Sequence, residues 1–340
     1  MRTYLLKRFL WLIPTLFIIT VISYAMMRLA PGDPVKTFML TGGGAGEDGG
    51  GVGTLREGEE STAAKQFRER FHLDKPWYVG YYLWIRNIVT EGDFGVSLTI
   101  QLGRPVWELI KERIKVTIKL NLCALAVIYL IAIPAGLYSA VFRNSLGDRT
   151  LTAVFFVLYS LPSFWVGLML ILLVSKYFPW WPTSGIDSDL PASASYWAIL
   201  LDTGKRYVLP VVCLAYAALA ALSRYARVGM LEVIRQDYIR TARAKGLSEW
   251  KVIFKHALRN AVIPLITLMA GMLPGLIGGS VIIEFLFGIP GMGELSLMAL
   301  SSRDYPVLIT LFSFSTLLTL LGILLSDIMY SIVDPRITFD

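Results

Sequence analysis

Nine lysines and arginines fall between residues 224 and 259 against three acids, Glu232, Asp237 and Glu249, a local charge of +6 in a chain whose formal total is +7. Charge of that density suits binding rather than bond-making: anionic lipid, an acidic protein surface or nucleic acid would all be attracted. A short element continuous with apolar sequence at both ends is a poor reader of nucleic acid, so lipid and a soluble protein partner remain. Leu231, Ile234, Tyr238 and Ala242 recur at helical spacing in one half, and Trp250, Ile253, Phe254, Ala257 and Leu258 in the other. Gly246 lies between them, where a glycine in the left-handed conformation ends a helix, and Ser248 is placed to N-cap the next. The pattern predicts a basic helix, turn, helix element.

Chemistry that makes or breaks bonds finds little support. A phosphate-binding loop requires G-x-x-x-x-G-K-[ST]; Gly204-Lys205 is followed by Arg206 and lacks the earlier glycine, and the glycine-rich residues 41–53 lead to no Lys-Ser or Lys-Thr pair. The two histidines, His72 and His256, and the two cysteines, Cys123 and Cys213, are too few and too scattered for a metal site or a disulfide framework. No nucleophile, base and orienting acid stand at a familiar spacing. The expectation is a non-enzymatic chain that binds no cofactor of its own, with residues 41–53 as a flexible loop.

The elements that carry the basic loop are apolar. Of 340 residues, 55% are hydrophobic and 17% charged, and the mean hydropathy is +0.59, whereas soluble domains carry roughly 25% charged residues. Six stretches are near the roughly 20 apolar residues that cross a bilayer: 9–30, 116–142, 151–175, 207–223, 261–287 and 306–330. The fourth is short but rich in alanine, which suits close helix packing. With both termini inside, fifteen basic residues lie in the cytoplasmic segments and four in the two short outer loops, the asymmetry expected of cytoplasmic loops. Trp180, Trp181 and Trp197 then fit an outer aromatic belt. This divides the chain into residues 1–30, a cytoplasmic N-terminus and first span; 31–115, an extracytoplasmic segment with interfacial helices from Ala63 to Arg86; and 116–340, a five-helix core containing the cytoplasmic loop 224–259.

Within the spans, Gly271, Gly275 and Gly279 recur every four residues with Pro274 among them. A bare helix face of this kind either packs closely on a neighbour or leaves room for a solute. Arg28, Lys119, Glu284 and Asp327 sit near span ends, where long side chains reach the interface.

Read as letters, D-Y-I-R-T-A-R-A-K-G-L-S at 237–248 followed by H-A-L-R-N-A-V-I-P at 256–264 resembles the signature loop of ATP-binding-cassette importer permeases. Arg240, Thr241 and Ala242 stand at the motif's first three positions and Gly246 at its glycine. The proline comes at Pro264 rather than directly after Leu258, as in the peptide-type variant. L-A-P-G-D-P after the first span, G-D-F-G-V-S at 92–97, P-T-S-G at 182–185, E-F-L-F-G-I-P-G-M-G at 284–293 and D-P-R-I near the end are similar to the same subfamily, the first (B-type) permease subunits of dipeptide and oligopeptide importers. The glycine-rich insertion has no counterpart in that pattern. The resemblance implies an all-α type I importer fold in a prokaryotic inner membrane. It also implies a coupling helix, carried by Arg240, Thr241, Ala242, Arg243, Lys245, Gly246 and Leu247, that docks on a cytoplasmic ATPase. Implied partners are a second homologous permease, two ATP-binding subunits or domains that hold the ATP and magnesium, an extracytoplasmic solute-binding protein, and membrane lipid. Two other classes fit the composition: a secondary transporter driven by an ion gradient, which favours midplane carboxylates and inverted repeats, and a lipid-binding scaffold without transport.

Overall fold

The computed structural model describes residues 2–29, 74–188, 190–191, 193–272 and 275–333. The glycine-rich loop 41–53, most of the 31–115 segment, Pro274 and the D-P-R-I stretch lie outside the described residues. Among the described residues the structure is helical, its one strand-like contact an isolated bridge between Val96 and Pro105.

The order is α1 (Arg2–Leu29), α2 (Trp77–Glu91), α3 (Val106–Val141), α4 (Leu146–Ser160), α5 (Ser163–Tyr177), α6 (Tyr196–Ile234) and α7 (Asp237–Ala244). A short α8 (Glu249–Lys251), a π-helical turn (Val252–Ala257) and α9 (Leu258–Ala261) follow. Then come α10 (Ile263–Met272), α11 (Gly275–Gly278), α12 (Val281–Leu286), α13 (Met292–Ser302) and α14 (Tyr305–Val333).

Among the described residues four helical segments are long and apolar enough to cross a membrane: Lys7–Leu29 in α1, α3, α6 and Tyr305–Met329 in α14. Their burial separates centre from edge. In α6, 61% of the apolar window is buried inside the chain, against 11% in α1. The alanines explain the first value. Ala215, Ala220 and Ala226 are buried, and at Gly136 of α3 an added Cβ would come within 2.5 Å of the Ala226 Cβ and 2.6 Å of the Ser223 carbonyl, so the two longest helices touch almost backbone to backbone.

Two expected spans are not single helices. The stretch 151–175 bends by 100° between α4 and α5. Pro162 pushes Leu161 out of the helical region, into an extended conformation with ψ of 134°, and the carbonyl freed at the break accepts a 2.6 Å hydrogen bond from the Tyr216 hydroxyl of α6. The start of α4 is pinned as well: Asp148 accepts from the Asn144 N–H at 2.9 Å, its own N–H donates to Ser145 Oγ, and Arg227 of α6 pairs with it at 2.7 Å. The stretch 261–287 is divided among α9 to α12. Gly271, Gly275 and Gly279 therefore do not share one helical face: the first lies in the last turn of α10, the second opens α11, and Gly279 has a φ of +72°, outside any helix.

α2 accounts for part of the aromatic segment. Tyr81 is buried against Tyr24 of α1, with its hydroxyl 2.9 Å from Thr20 Oγ1, and Trp84 packs beside them, while Tyr78 and Tyr82 are exposed. Trp180 and Trp197 are exposed, as an interfacial belt requires, but Trp181 packs toward the core formed by α3, α6 and α12.

Candidate coupling element and the knot around Glu284

The basic loop is built as a lever with one buried side. α6 stops at Ile234 and Gln236 opens α7 in an extended conformation, so the single helix expected through Leu231, Ile234, Tyr238 and Ala242 is broken. The break changes the buried face. Ile239 and Ala242 are buried against Met230, Leu137, Ala140, Val252 and Ala257, whereas Tyr238 is exposed. Of the seven residues assigned to the loop, only Ala242 faces inward; Arg240, Thr241, Arg243, Lys245, Gly246 and Leu247 are exposed.

The turn after α7 is a Schellman motif. Gly246 N–H donates to the Arg243 carbonyl at 2.9 Å, and Leu247 N–H to the Ala242 carbonyl at 3.4 Å. Gly246 takes the left-handed conformation expected of it, φ +74°, and a Cβ there would meet nothing within 4 Å, so its requirement is for the backbone shape alone. Arg243 closes the turn from outside through a 2.8 Å ion pair to Glu249. Asn260 Nδ2 donates to the Tyr238 hydroxyl at 2.7 Å and ties α7 to α9. Ser248 does occupy the N-cap position, but its side chain makes no capping bond.

Helical spacing predicts a buried face of Trp250, Ile253, Phe254, Ala257 and Leu258 here, and the structure buries Val252 and Ala257 most deeply. The π-helical turn is the reason: its i to i+5 bonding places residues five apart on one face. Trp250 is left 68% exposed, its ring 3.7 Å from that of Phe254.

At the other end of α3 the structure places a carboxylate where the sequence suggested an interface residue. Glu284 is fully buried rather than reaching outward. Its Oε1 accepts from Thr117 Oγ1 of α3 at 3.0 Å, and its Oε2 accepts from the backbone N–H groups of Gly293 and Glu294 at 2.6 and 3.1 Å. Thr117 Oγ1 in turn accepts from Met292 N–H at 2.8 Å. Two side chains thus satisfy the open N–H groups at the start of α13. Gly279 and, within E-F-L-F-G-I-P-G-M-G, Gly291 make room for the carboxylate: a Cβ on Gly279 would lie 2.7 Å from Oε1, and one on Gly291 2.6 Å from Thr117 Oγ1. Both oxygens are engaged, which fits a structural knot better than an ion-coupling acid. Arg113 and Glu294 add an ion pair of 2.7 Å between α3 and α13.

Asp304, at the start of α14, is a second buried acid that sequence reading passed over. Its Oδ2 accepts from Ser97 Oγ at 2.6 Å and from the N–H groups of Leu98, Thr99 and Ile100 at 2.9, 3.0 and 3.3 Å. This gives G-D-F-G-V-S a role: its last residue is held to α14. The available signal was slight: Glu284 is the lone acid of the stretch 261–287, and Asp304 stands just before the stretch 306–330. Among the described residues no group of three or more histidines, cysteines and acids is placed to hold a metal ion.

Long apolar helices, a broken span knotted to α3 and a rigidly mounted basic lever define a helical membrane transport component. Residues 132–339 match the family described as binding-protein-dependent transport system inner membrane component. The chain belongs to that family, and is a multi-pass, non-catalytic permease subunit of the inner membrane. It is similar end to end to the oligopeptide transport system permease protein AppB of Bacillus subtilis (strain 168), 40% identical over 340 residues and 100% of both chains. It is 35% identical over 353 residues to the dipeptide transport system permease protein DppB of Escherichia coli (strain K12), with 99% of each chain covered. The glutathione transport system permease protein GsiC of the same organism is 35% identical over 344 residues, covering 100% of each. Among solved structures, the inward-facing MetNI methionine ABC transporter aligns with a TM-score of 0.54 at 18% identity, over 68% of this chain and 100% of that one, which establishes a shared fold.

Proposed function

We propose that this chain is the permease subunit of an ATP-driven peptide importer, forming the translocation pathway with a second, homologous permease. The observation that carries the reading is the mounting of α7: Ile239 and Ala242 fix it to the core, while Arg240, Thr241, Arg243, Lys245 and Leu247 are exposed on the outside, Arg240 and Arg243 in solvent-accessible pairs with Asp237 and Glu249. A rigid lever with an exposed cationic face transmits a docking contact to the helices it is packed on. The match in name and length to oligopeptide, dipeptide and glutathione permeases supports peptides as the solute class.

In this reading the chain has six spans, with the α4–α5 pair as the bent third and α10 to α12 as the broken fifth, and both termini are cytoplasmic. ATP and magnesium sit on two cytoplasmic ATPase subunits or domains. Their closure draws α7 and its counterpart together, and the shared core of α7, α3 and the π-turn carries that displacement into the spans. Solute arrives from an extracytoplasmic binding protein, and hydrolysis resets the inward-open state. Gly275 and Gly278, whose added Cβ atoms would meet open space, are the residues of the broken span left free to face the pathway or the second permease.

Purification of the tagged chain in mild detergent from its native membrane tests this. The expected result is co-recovery of a second permease and ATP-binding subunits, with vanadate-sensitive hydrolysis and ATP-dependent uptake of a labelled peptide after reconstitution. Recovery of the chain without any ATPase, still moving solute, would favour the ion-coupled alternative.

A further inference from the structure

Lys111, Lys115 and Lys119 stand four residues apart on α3, so they form one stripe about 12 Å long on a single helix face. All three are exposed, and none makes an ion pair or hydrogen bond among the described residues. The nearby acids offset them only in part. Glu108 and Glu112 are both engaged by Arg104, and Glu294 is taken by Arg113 on another face of the helix. The stripe continues downward into exposed Leu122 and Cys123.

Its depth is informative. Lys119 lies about one turn inside the apolar stretch 116–142, and Lys115 and Lys111 lie outside it toward Val106. A lone lysine there would snorkel to the interface. Three in register, exposed and leading to an exposed thiol, form a cationic track at the mouth of the span rather than a single snorkelling side chain.

We infer that this stripe lines the outer mouth of the translocation pathway and draws in the C-terminal carboxylate of the peptide. The inference rests on the peptide-import reading and deepens it by naming the part of the solute that is recognised. Successive ammonium groups about 6 Å apart along the axis pass one carboxylate from Lys111 to Lys119 without binding it so tightly that it stops.

Cys123 is a built-in reporter, one turn below Lys119, and the other cysteine, Cys213, is buried. The assembled transporter in proteoliposomes is treated from outside with two membrane-impermeant thiol reagents, anionic sulfonatoethyl methanethiosulfonate and cationic trimethylammonioethyl methanethiosulfonate, with and without ATP and vanadate. Modification is followed by mass spectrometry of the Cys123 peptide. The expected result is faster reaction with the anionic reagent in at least one nucleotide state. In K115M/K119M the anionic-to-cationic rate ratio falls by about tenfold, while K115R/K119R retains it and added salt flattens it. Peptide uptake falls in the methionine variant and persists in the arginine variant.

An unreactive Cys123 in both states would place the face on lipid or under a partner subunit and overturn the inference, as would a ratio unchanged in K115M/K119M. Unaltered uptake in that variant would do the same. Failure of the wild-type assembly to take up any peptide with ATP would instead remove the peptide-import reading itself, and with it the carboxylate as occupant, whatever the thiol ratio shows.

Discussion

The knot packed on the first part of α3 and the basic loop beyond its far end handle charge in opposite ways. Beside the start of α3, Glu284 is a buried acid with both oxygens filled by backbone N–H groups and a hydroxyl from other elements, and Asp304 is a second whose Oδ2 is filled in the same way while its buried Oδ1 accepts no hydrogen bond among the described residues. Beyond the far end of α3, the loop 237–259 keeps its charges outside: the Arg240–Asp237 pair is 3.6 Å long and almost wholly exposed, and Lys245, Lys251, Lys255 and Arg259 are exposed. A buried acid with satisfied acceptors locks segments distant in sequence, because breaking it leaves unpaired donors. An exposed cation contributes little to the fold and stays available to a partner. In the proposed reading the contrast gives rigidity to the knot and recognition to the lever.

Removing Glu284 should show the largest effect. Glu284→Ala leaves the N–H groups of Gly293 and Glu294 and the Thr117 hydroxyl without their acceptor, at about 1–3 kcal/mol each, so a loss of about 3 kcal/mol or more is expected in thermal unfolding of the detergent-solubilised chain. Glu284→Gln, which keeps one acceptor, should lose clearly less; equal losses would mean that the cage is not built on hydrogen bonding.

Ile239→Ala comes next. It empties a fully buried site beneath α7, and core truncations of this kind cost about 2–5 kcal/mol. Because the lever is then loosely mounted, ATPase stimulation by solute should fall more than ATPase association does. If both stayed at wild-type level, the rigid-lever account would be wrong.

Gly246→Val should cost about 1–2 kcal/mol, since a side chain is forced into the left-handed region with no clash to blame. Gly246→Asn should recover most of the uptake that the valine loses. A valine variant with normal uptake and normal ATPase association would deny the turn any part in coupling.

The smallest stability effect is expected at Arg243. Its pair with Glu249 is partly exposed, so Arg243→Ala should change stability by about 0–1 kcal/mol. Binding of the ATPase subunits, measured by co-purification at increasing salt, should nevertheless weaken. Lost stability with intact binding would reverse the division between knot and lever.

Much of the lever was legible in the residues. Gly246 between two basic amphipathic halves announced a left-handed helix end, because only glycine takes that conformation freely, and the structure forms it with Schellman bonding. The inward face was misread at Tyr238 and Phe254, because spacing arguments assume an unbroken 3.6-residue period. A break at Gln236 and a π-turn at Val252–Ala257 each reset the phase. The bend at Leu161–Pro162 had its proline in plain view, but an apolar window counts composition and is blind to a local change of direction. Glu284 gave the weakest signal of all, since one acid in an apolar run looks the same whether it snorkels or is caged.

By itself, the sequence determined that this is a helical membrane protein with a basic, glycine-punctuated loop, because apolar length, charge asymmetry and turn chemistry are local properties that each stretch carries unaided; the likeness to importer permeases rests on ordered motifs read as letters. The tertiary structure alone decided where the acids go and which face of the loop is buried. Those outcomes depend on groups from other elements, the donors Thr117 for Glu284 and Ser97 to Ile100 for Asp304 and the apolar side chain of Leu137 for Ile239, and no local pattern encodes which distant groups will meet.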